Sequence, residues 1–399
     1  MNVLMLDPSA YTPYYDYSLC RALAGLGHRV VLATTPYRYD RLPAPDGFEL
    51  RHLYFRAFDV IGRRASALTA ERPRQVLKAL EYPLDQLALL RLARRLKPDV
   101  VHVQWSLRPG WDLWLLRRLR SAGARLVLTA HDLLPLYAPQ DRQVDQWRSF
   151  AALYALADAV IVHTQANRNE LLTTFPVDAA KVRVIPQGNL TDFVGPATPP
   201  SQARAEFGLD PTTRVVLFFG LIKPYKGLDH LVRAFATVRQ RVTDARLLIV
   251  GQANEDFTRY RCLIDQLGLA DSVVTDLRYV PHAEMARVFG AADVVALPYV
   301  RTYQSAVLFA AYTFGRALVV TATGGLAETI GGDETGLVVP PADPDALAGA
   351  LVELLSDPAR YHRLGERAYE LARTKYAWPG IARQTEKVLL SVASNHKER

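Results

Sequence analysis

Two lysines, a serine and several glycines are the residues of this chain whose types and spacing could do chemistry together. In FFGLIKPYKGLDHL a strand-like run ends at Gly220, and Lys223 and Lys226 follow before Gly227 opens an amphipathic helical pattern. Two cations beside a strand-to-helix turn suit a diphosphate, whose charge needs ion pairing and backbone N–H donors together. The loop is not a Walker A motif, since G-x-x-x-x-G-K-[ST] is missing; the competing reading is a surface loop with two solvated lysines. Further on, in LPYVRTYQSAVLFAAYTFGRALVVTATGGLAE, Ser305 precedes a helix candidate that Gly315 ends. Serine is a favoured N-cap. The N–H groups of Ala306 and Val307 would then be unpaired at the positive end of the helix dipole, where an anion binds without a charged side chain. Otherwise this is an ordinary capped helix. Gln304 adds an amide to the loop. Gly324 and Gly325 allow a ligand close to the backbone, whereas Glu328 is expected to cap or pair locally.

The first half offers imidazoles and tyrosines. His131 in LTAHDLLP ends an apolar run beside Asp132. A histidine titrating near neutrality can carry a proton; the alternative is a strand-end histidine bonded to a neighbouring loop. His163 in IVHT and Gln187 after VIP stand at similar ends. His102, mid-run in VHVQW, reads as a core residue, with Gln104 and Trp105 nearer the mouth. In DPSAYTPYYDYSLCRAL, the side chains of Tyr14, Tyr15 and Asp16 either face a ligand or pack against a sheet edge.

Short runs rich in Val, Leu and Ile must position these groups: VLML, VVLATT, VVHVQW, LVLTAHD, AVIVHT and VRVIPQ, then RVVLFFG, RLLIVG, DSVVTDLRYV, DVVALPY, ALVVTATGG and TGLVVPP. Near-continuous apolar runs of this length suit strands buried on both faces of a parallel sheet. Helical patterns such as SLCRALAGLGH and WDLWLLRRLRSAGA lie between them. The alternation predicts two doubly wound α/β domains. A break at VGPATPPSQA, residues 194–203, reads as a linker, and a chain of 399 residues fits two cores. Ligands of such sheets bind beyond the carboxyl ends of the strands, so a cleft between two of them could hold a donor and an acceptor.

The order FFGLIKPYKG, LLIVG, YVPHAEMARVFGAADVVALPY, YTFGRALVVTATGGLAE and TGLVVPPADPDALAGAL resembles the donor half of family 4 glycosyltransferases of the GT-B fold. PDVVHVQW, LVLTAHD, DAVIVHT and VIPQGN fall where that family's acceptor half has similar strand ends. The resemblance implies a Rossmann-like acceptor domain over 1–195, a Rossmann-like nucleotide-sugar domain over 196–375, and a helix over 376–399 that crosses back. It implies a retaining, hexosyl-type transfer from a nucleotide-diphosphate sugar to a polysaccharide or lipid-linked saccharide. No cofactor and no metal are expected, because basic side chains and a helix N-terminus take the leaving group's charge. It places Gly251, Tyr279 and Val280 with the donor set and His131 near donor sugar and acceptor. The pattern is also broken. The family's Glu, seven residues, Glu falls on Thr302 and Ala310, and its Arg after the turn glycine falls on Leu221. The lost contacts to sugar and ribose leave a variant enzyme, with Gln304 and Ser305 taking over recognition and Lys223 the missing charge. The alternatives are a weakened homologue serving as a nucleotide- or glycan-binding partner subunit, and a sugar-nucleotide epimerase of the same fold.

Composition sets further bounds. Net charge is +8, and residues 1–200 hold 25 Lys and Arg against 18 Asp and Glu. Much of the excess lies in residues 51–80 and in RLARRLK. This basic half faces either an anionic lipid surface or plain solvent, and no nucleic-acid motif accompanies it. No apolar run reaches the ~18 residues of a spanning helix. MNVLMLDPSA lacks the basic start of a signal peptide. Cys20 and Cys262 are the only cysteines, too few for a structural zinc site. The expectation is a cytoplasmic protein with peripheral contact at the inner face of the membrane. Asp343-Pro344-Asp345 precedes a helical pattern and reads as capping rather than as a metal ligand pair. A Rossmann dehydrogenase is disfavoured, since no G-x-G-x-x-G follows VLML or RVVLFF.

Overall fold

Runs such as VLML and VVAL have no polar face to turn to water, so they are stable only between two layers of helices. The computed structural model, which describes residues 1–64, 71–136 and 143–394, places them there. Residues 65–70 of the basic stretch 51–80 lie outside the described residues, as does the end of the charged tail, 395–399.

The chain divides into two units, Met1–Pro186 with Trp378–Arg399, and Gln187–Ala377. The first holds strands β1 (Asn2–Asp7), β2 (Arg29–Thr34), β3 (Glu49–His52), β4 (Val100–Val103), β5 (Arg125–Thr129), β6 (Ala159–Val162) and β7 (Val182–Val184). Its helices are α1 (Pro13–Gly25), α2 (Arg56–Arg64), α3 (Glu71–Leu96), α4 (Pro109–Ser121), α5 (Gln143–Leu156) and α6 (Gln165–Thr174). The strands are all parallel in the order β3-β2-β1-β4-β5-β6-β7. Val3, Leu4, Met5, Val100 and Val127 are fully buried at its centre.

The second unit holds β8 (Arg214–Phe219), β9 (Ala245–Val250), β10 (Val273–Asp276), β11 (Val294–Leu297), β12 (Ala317–Thr321) and β13 (Gly336–Val339). With them run α7 (Pro200–Glu206), α8 (Leu228–Arg241), α9 (Thr258–Gln266), α10 (His282–Ala291), α11 (Ala306–Thr313), α12 (Leu326–Ile330), α13 (Pro344–Ser356) and α14 (Pro358–Arg373). Its parallel order is β10-β9-β8-β11-β12-β13. One apolar cluster lies on each face of this sheet, around Leu231, Phe235 and Leu351 on one side and Leu308, Phe309 and Tyr312 on the other. In both units the strand order reverses direction beside the first strand, between β1 and β4 and between β8 and β11. Ligands of open α/β sheets bind at such switch points.

The unit boundary falls before residue 195 for a physical reason. Asn189 donates from its backbone to Tyr376 O and from Nδ2 to Ala372 O, and the Leu190 N–H donates to Thr313 Oγ1. The proline-rich stretch 194–203 is not a free linker either. Thr198 N–H donates to Ala286 O, and Arg204 Nη2 on α7 reaches both carboxylate oxygens of buried Asp293 at 2.7 and 2.8 Å. The last helix, α15 (Trp378–Ser394), packs on α1 of the first unit, where Glu386 Oε1 meets His28 Nε2 at 2.7 Å.

A candidate anion site at the switch point of the second unit

β8 ends where Gly220 takes φ +100°, and its N–H donates to Val250 O. The chain then makes a short 3-10 turn, Pro224–Lys226, and enters α8 through Gly227 at φ +64°. This turn is sewn to the end of β11. Val300 N–H donates to Tyr225 O at 2.7 Å, and a Cβ on Gly227 would lie 2.0 Å from Pro298 O. Gly251 at the end of β9 is held as tightly, since its Cβ would meet Gly220 O at 2.0 Å.

The stitching aims Lys226 inward. Its Nζ lies 5.4 Å from the centre of the Tyr299 ring and 3.1 Å from where a Gly220 Cβ would be, while Val307 Cγ2 is 3.4 Å from that point. Tyr299 OH is 3.3 Å from Ser305 Oγ. Gly220, Lys226, Tyr299, Ser305 and Val307 therefore converge. Lys226 is 8% exposed, and among the described residues its Nζ has no hydrogen bond or ion pair. Burial, and then the charge of Lys223, lower its pKa to about 8. A buried cation without a counter-charge is costly unless an anion is supplied. Lys223 itself is half-buried at the start of the turn.

Ser305 occupies the N-cap of α11 with extended backbone, but its hydroxyl does not cap, because it faces Tyr299 instead. Among the described residues the N–H groups of Ala306 and Val307 have no protein acceptor, and Ala306 is exposed. The helix thus begins with free donors beside Lys226. The Gln304 amide, expected to help recognise the donor, is engaged within the protein: Oε1 accepts from Ser305 N at 2.9 Å, and Nε2 donates to Thr329 Oγ1 at 3.2 Å. Gly324 is a second correction. Its φ of +53° and missing Cβ admit the Thr302 carbonyl, 2.1 Å from the Cβ position, rather than a ligand. Gly325 N–H donates to Tyr303 O. Thr302 is buried with Oγ1 on Gln304 O, and Ala310 is deep in the apolar cluster. Tyr279 is half-buried after β10, and Val280 is buried in the same cluster. Asp343 caps α13 through Ala346 N–H, as its spacing predicts.

In the first unit the imidazoles form a chain. His163 Nδ1 lies 3.0 Å from Ile185 O, so it carries a proton, and its Nε2 then accepts from His131 Nδ1 at 2.9 Å. His131 Nε2 lies 3.0 Å from Gln104 Oε1; since Nδ1 holds the proton of the neutral ring, this contact is a hydrogen bond with the Gln104 amide turned to present its NH2. Trp105 stacks on His131 with centroids 5.1 Å apart. Both nitrogens of His131 are thus engaged. Burial, with His163 and His102 nearby, holds its pKa well below the ordinary value. Of the readings open for His131, the geometry is that of a bonded strand-end histidine, a fixed and neutral ring. His102 is buried with Nε2 on Thr129 Oγ1, and its Nδ1 has no partner.

Of the two alternatives open for Tyr15 and Asp16, the structure shows packing. Both are interior. Tyr15 packs edge-on against His131, His163 and Trp378, and Asp16 lies against Asp7 at the end of β1. Tyr14 donates to Asp40. Gln187 and Asp132 are half-buried. Sequence reading missed Asp7 and Tyr299. Both follow or end an apolar run at a switch point, which is the signal that could have found them.

Among the described residues no group of three or more His, Cys, Asp or Glu side chains could hold a metal ion. Among the described residues no helix is long and apolar enough to cross a membrane.

Two family descriptions match: Glycosyltransferase Family 4 over residues 15–192, and Glycosyl transferases group 1 over residues 201–371. The D-inositol 3-phosphate glycosyltransferase of Corynebacterium glutamicum is 30% identical over 345 residues, covering 82% of this chain and 81% of that protein. The sucrose-phosphate synthase of Thermosynechococcus elongatus superposes over 99% of this chain and all of its own, with a TM-score of 0.78 and 22% identity. Anabaena HepE in complex with UDP and glucose covers 98% of this chain and all of its own, with a TM-score of 0.74 and 19% identity. Two parallel Rossmann-like sheets, this likeness of fold and the match to a curated relative carry one conclusion: the chain belongs to the family 4 type of GT-B glycosyltransferases.

Proposed function

We propose that the protein moves a sugar from a nucleoside-diphosphate sugar to an acceptor hydroxyl, with retention at the anomeric carbon and without a metal. The observation that carries this reading is the buried amino group of Lys226, without a counter-ion among the described residues and next to the free N–H groups that begin α11. Ion pairing and oriented backbone donors together suit a diphosphate leaving group. Charge building on its oxygens as the glycosidic bond breaks is met by Lys226, by Lys223 and by the α11 terminus, which do the work a divalent cation would do. The acceptor hydroxyl then attacks from the face the diphosphate leaves and gives its proton to the departing diphosphate oxygen. HepE, with UDP in its structure, makes uridine the first base to test. The acceptor is a polysaccharide or lipid-linked saccharide, recognised by strand ends of the first unit that carry Gln104, His131, Asp132 and His163. His131 serves there by holding its position, because both of its nitrogens face protein partners.

Nucleotide binding is the test. UDP, GDP, ADP and dTDP are compared by calorimetry with and without EDTA. One diphosphate is expected to bind, indifferent to EDTA, and Lys226→Ala is expected to weaken it by at least tenfold, as loss of a charge-assisted hydrogen bond does. Full affinity in Lys226→Ala would overturn the diphosphate assignment. With donor and acceptor identified, proton NMR of the product reads retention directly.

A further inference from the structure

Among its described side chains, α3 buries both acids, Glu81 and Asp85, and exposes a row of apolar ones. Glu81 accepts from the N–H groups of Ala57 and Phe58 at 2.6 and 2.9 Å, and Asp85 accepts from Phe55 N–H at 3.0 Å. Both carboxylates therefore serve the start of α2 and are turned away from solvent. Tyr82, Gln86, Leu89, Ala93 and Leu96 share this inner side. The opposite side carries Val76, Leu80, Leu84 and Leu87, which are 59, 68, 65 and 43% exposed. At about 3.6 residues per turn these four fall on one stripe roughly 100° wide. Arg91, Arg94 and Arg95, all exposed, continue the same stripe towards the C-terminal end of the helix. On α2, Arg56 is exposed and Val60 is 51% exposed, while its one acid, Asp59, is buried against Arg38. Among the described side chains of α2 and α3, the exposed charges are basic and the exposed large side chains are apolar.

We infer that this face of α2 and α3 docks on an anionic lipid surface. Leu80, Leu84, Leu87 and Val76 enter the boundary between headgroups and acyl chains, while Arg56, Arg91, Arg94 and Arg95 meet lipid phosphates. Charge selects this occupant over a second copy of the chain. A second copy would offer these arginines the same face, on which no described side chain is an exposed carboxylate, since Glu81 and Asp85 are committed to α2. A lipid surface supplies both the apolar medium and the opposite charge. The inference concerns the first unit alone and does not depend on the anion site of the second.

Flotation of the full chain with vesicles tests it. Phosphatidylcholine vesicles containing phosphatidylglycerol are compared with pure phosphatidylcholine. The protein is expected to float with the anionic vesicles, to float poorly with the neutral ones, and to be released as salt rises. Leu80→Asp with Leu84→Asp is expected to abolish flotation. Arg91→Ser with Arg94→Ser is expected to weaken it by roughly tenfold or more. Both pairs are exposed, so circular dichroism and nucleotide affinity should stay as in the parent chain. Flotation unchanged by either pair, or no flotation with any vesicle, would overturn the inference. So would a dimer in solution that Leu80→Asp dissociates and that binds no vesicle, because the face would then belong to a second copy.

Discussion

On the proposed diphosphate assignment, Lys226 should couple ligand affinity to pH. Its folded pKa of about 8 lies below the ordinary 10.5, first because it is buried and then because Lys223 is near. Without ligand, the unfolded chain holds this proton more firmly, so stability should rise with pH between those two values. Diphosphate affinity should do the opposite: strong below about 8, where the amine is charged, and falling above it. Lys226→Arg should remove the fall, and calorimetry across that range would show it; an unchanged profile would mean another group titrates. Asp7 and Asp16 give the reverse sign for stability. Burial raises both pKa values, and Asp7 raises that of Asp16 further. The stability tied to their protons is complete below the unfolded value near 3.8 and is lost as pH rises through the folded values. Asp16→Asn keeps a donor towards Asp7, so its urea unfolding should depend less on pH than the parent's. A slope equal to the parent's would show that the pair does not titrate. The lysines could be read from sequence because their spacing around Gly227 is local. The link of Lys226 to Tyr299 could not, because it joins loops after two different strands.

Among the elements, the turn between β8 and α8 is the least tolerant. Gly227→Ala must hold φ near +64° and place a methyl group on Pro298 O. Backbone strain alone costs roughly 1–3 kcal/mol, and the contact adds to it, so a lowered urea midpoint and lost diphosphate binding are expected together. Gln304→Ala frees Ser305 N–H and cuts the tie to Thr329. About 1 kcal/mol of stability should go, with a larger proportional loss of nucleotide affinity as the start of α11 loosens; affinity equal to the parent's would sink the proposed role of that helix end. The buried strands were legible because both faces are apolar, as in Val294–Leu297. β3, Glu49–His52, was not. It is a polar edge strand held by pairing with β2, and its sequence ELRH carries no burial signal. Pro83 hid α3 in the same way, by interrupting a helix of 26 residues that packing maintains. The proline-rich stretch before α7 misled in the other direction. It looks like a linker, yet the Arg204–Asp293 pair fixes the helix that follows it.

For the whole molecule, two sheets and a returning helix could be read from the alternation and the resemblance, but the boundary could not. It depends on Asn189 and Leu190 bonding to residues far along the chain, which no local pattern encodes. Ending the chain at Ala377 would uncover the α1 surface that Trp378, Ile381, Leu389 and Val392 cover. Scanning calorimetry of that shortened protein should show the second unit's transition retained and the first unit's lowered or lost; two unshifted transitions would mean that α15 is dispensable. The same connectivity has a consequence during synthesis. The second unit is one unbroken segment, Gln187–Ala377, whereas the first needs α15, which the ribosome makes only afterwards. The part made first must therefore wait, unfinished, while the part made second closes its own core. The bare α1 surface of the nascent first unit is the place where a chaperone would be needed.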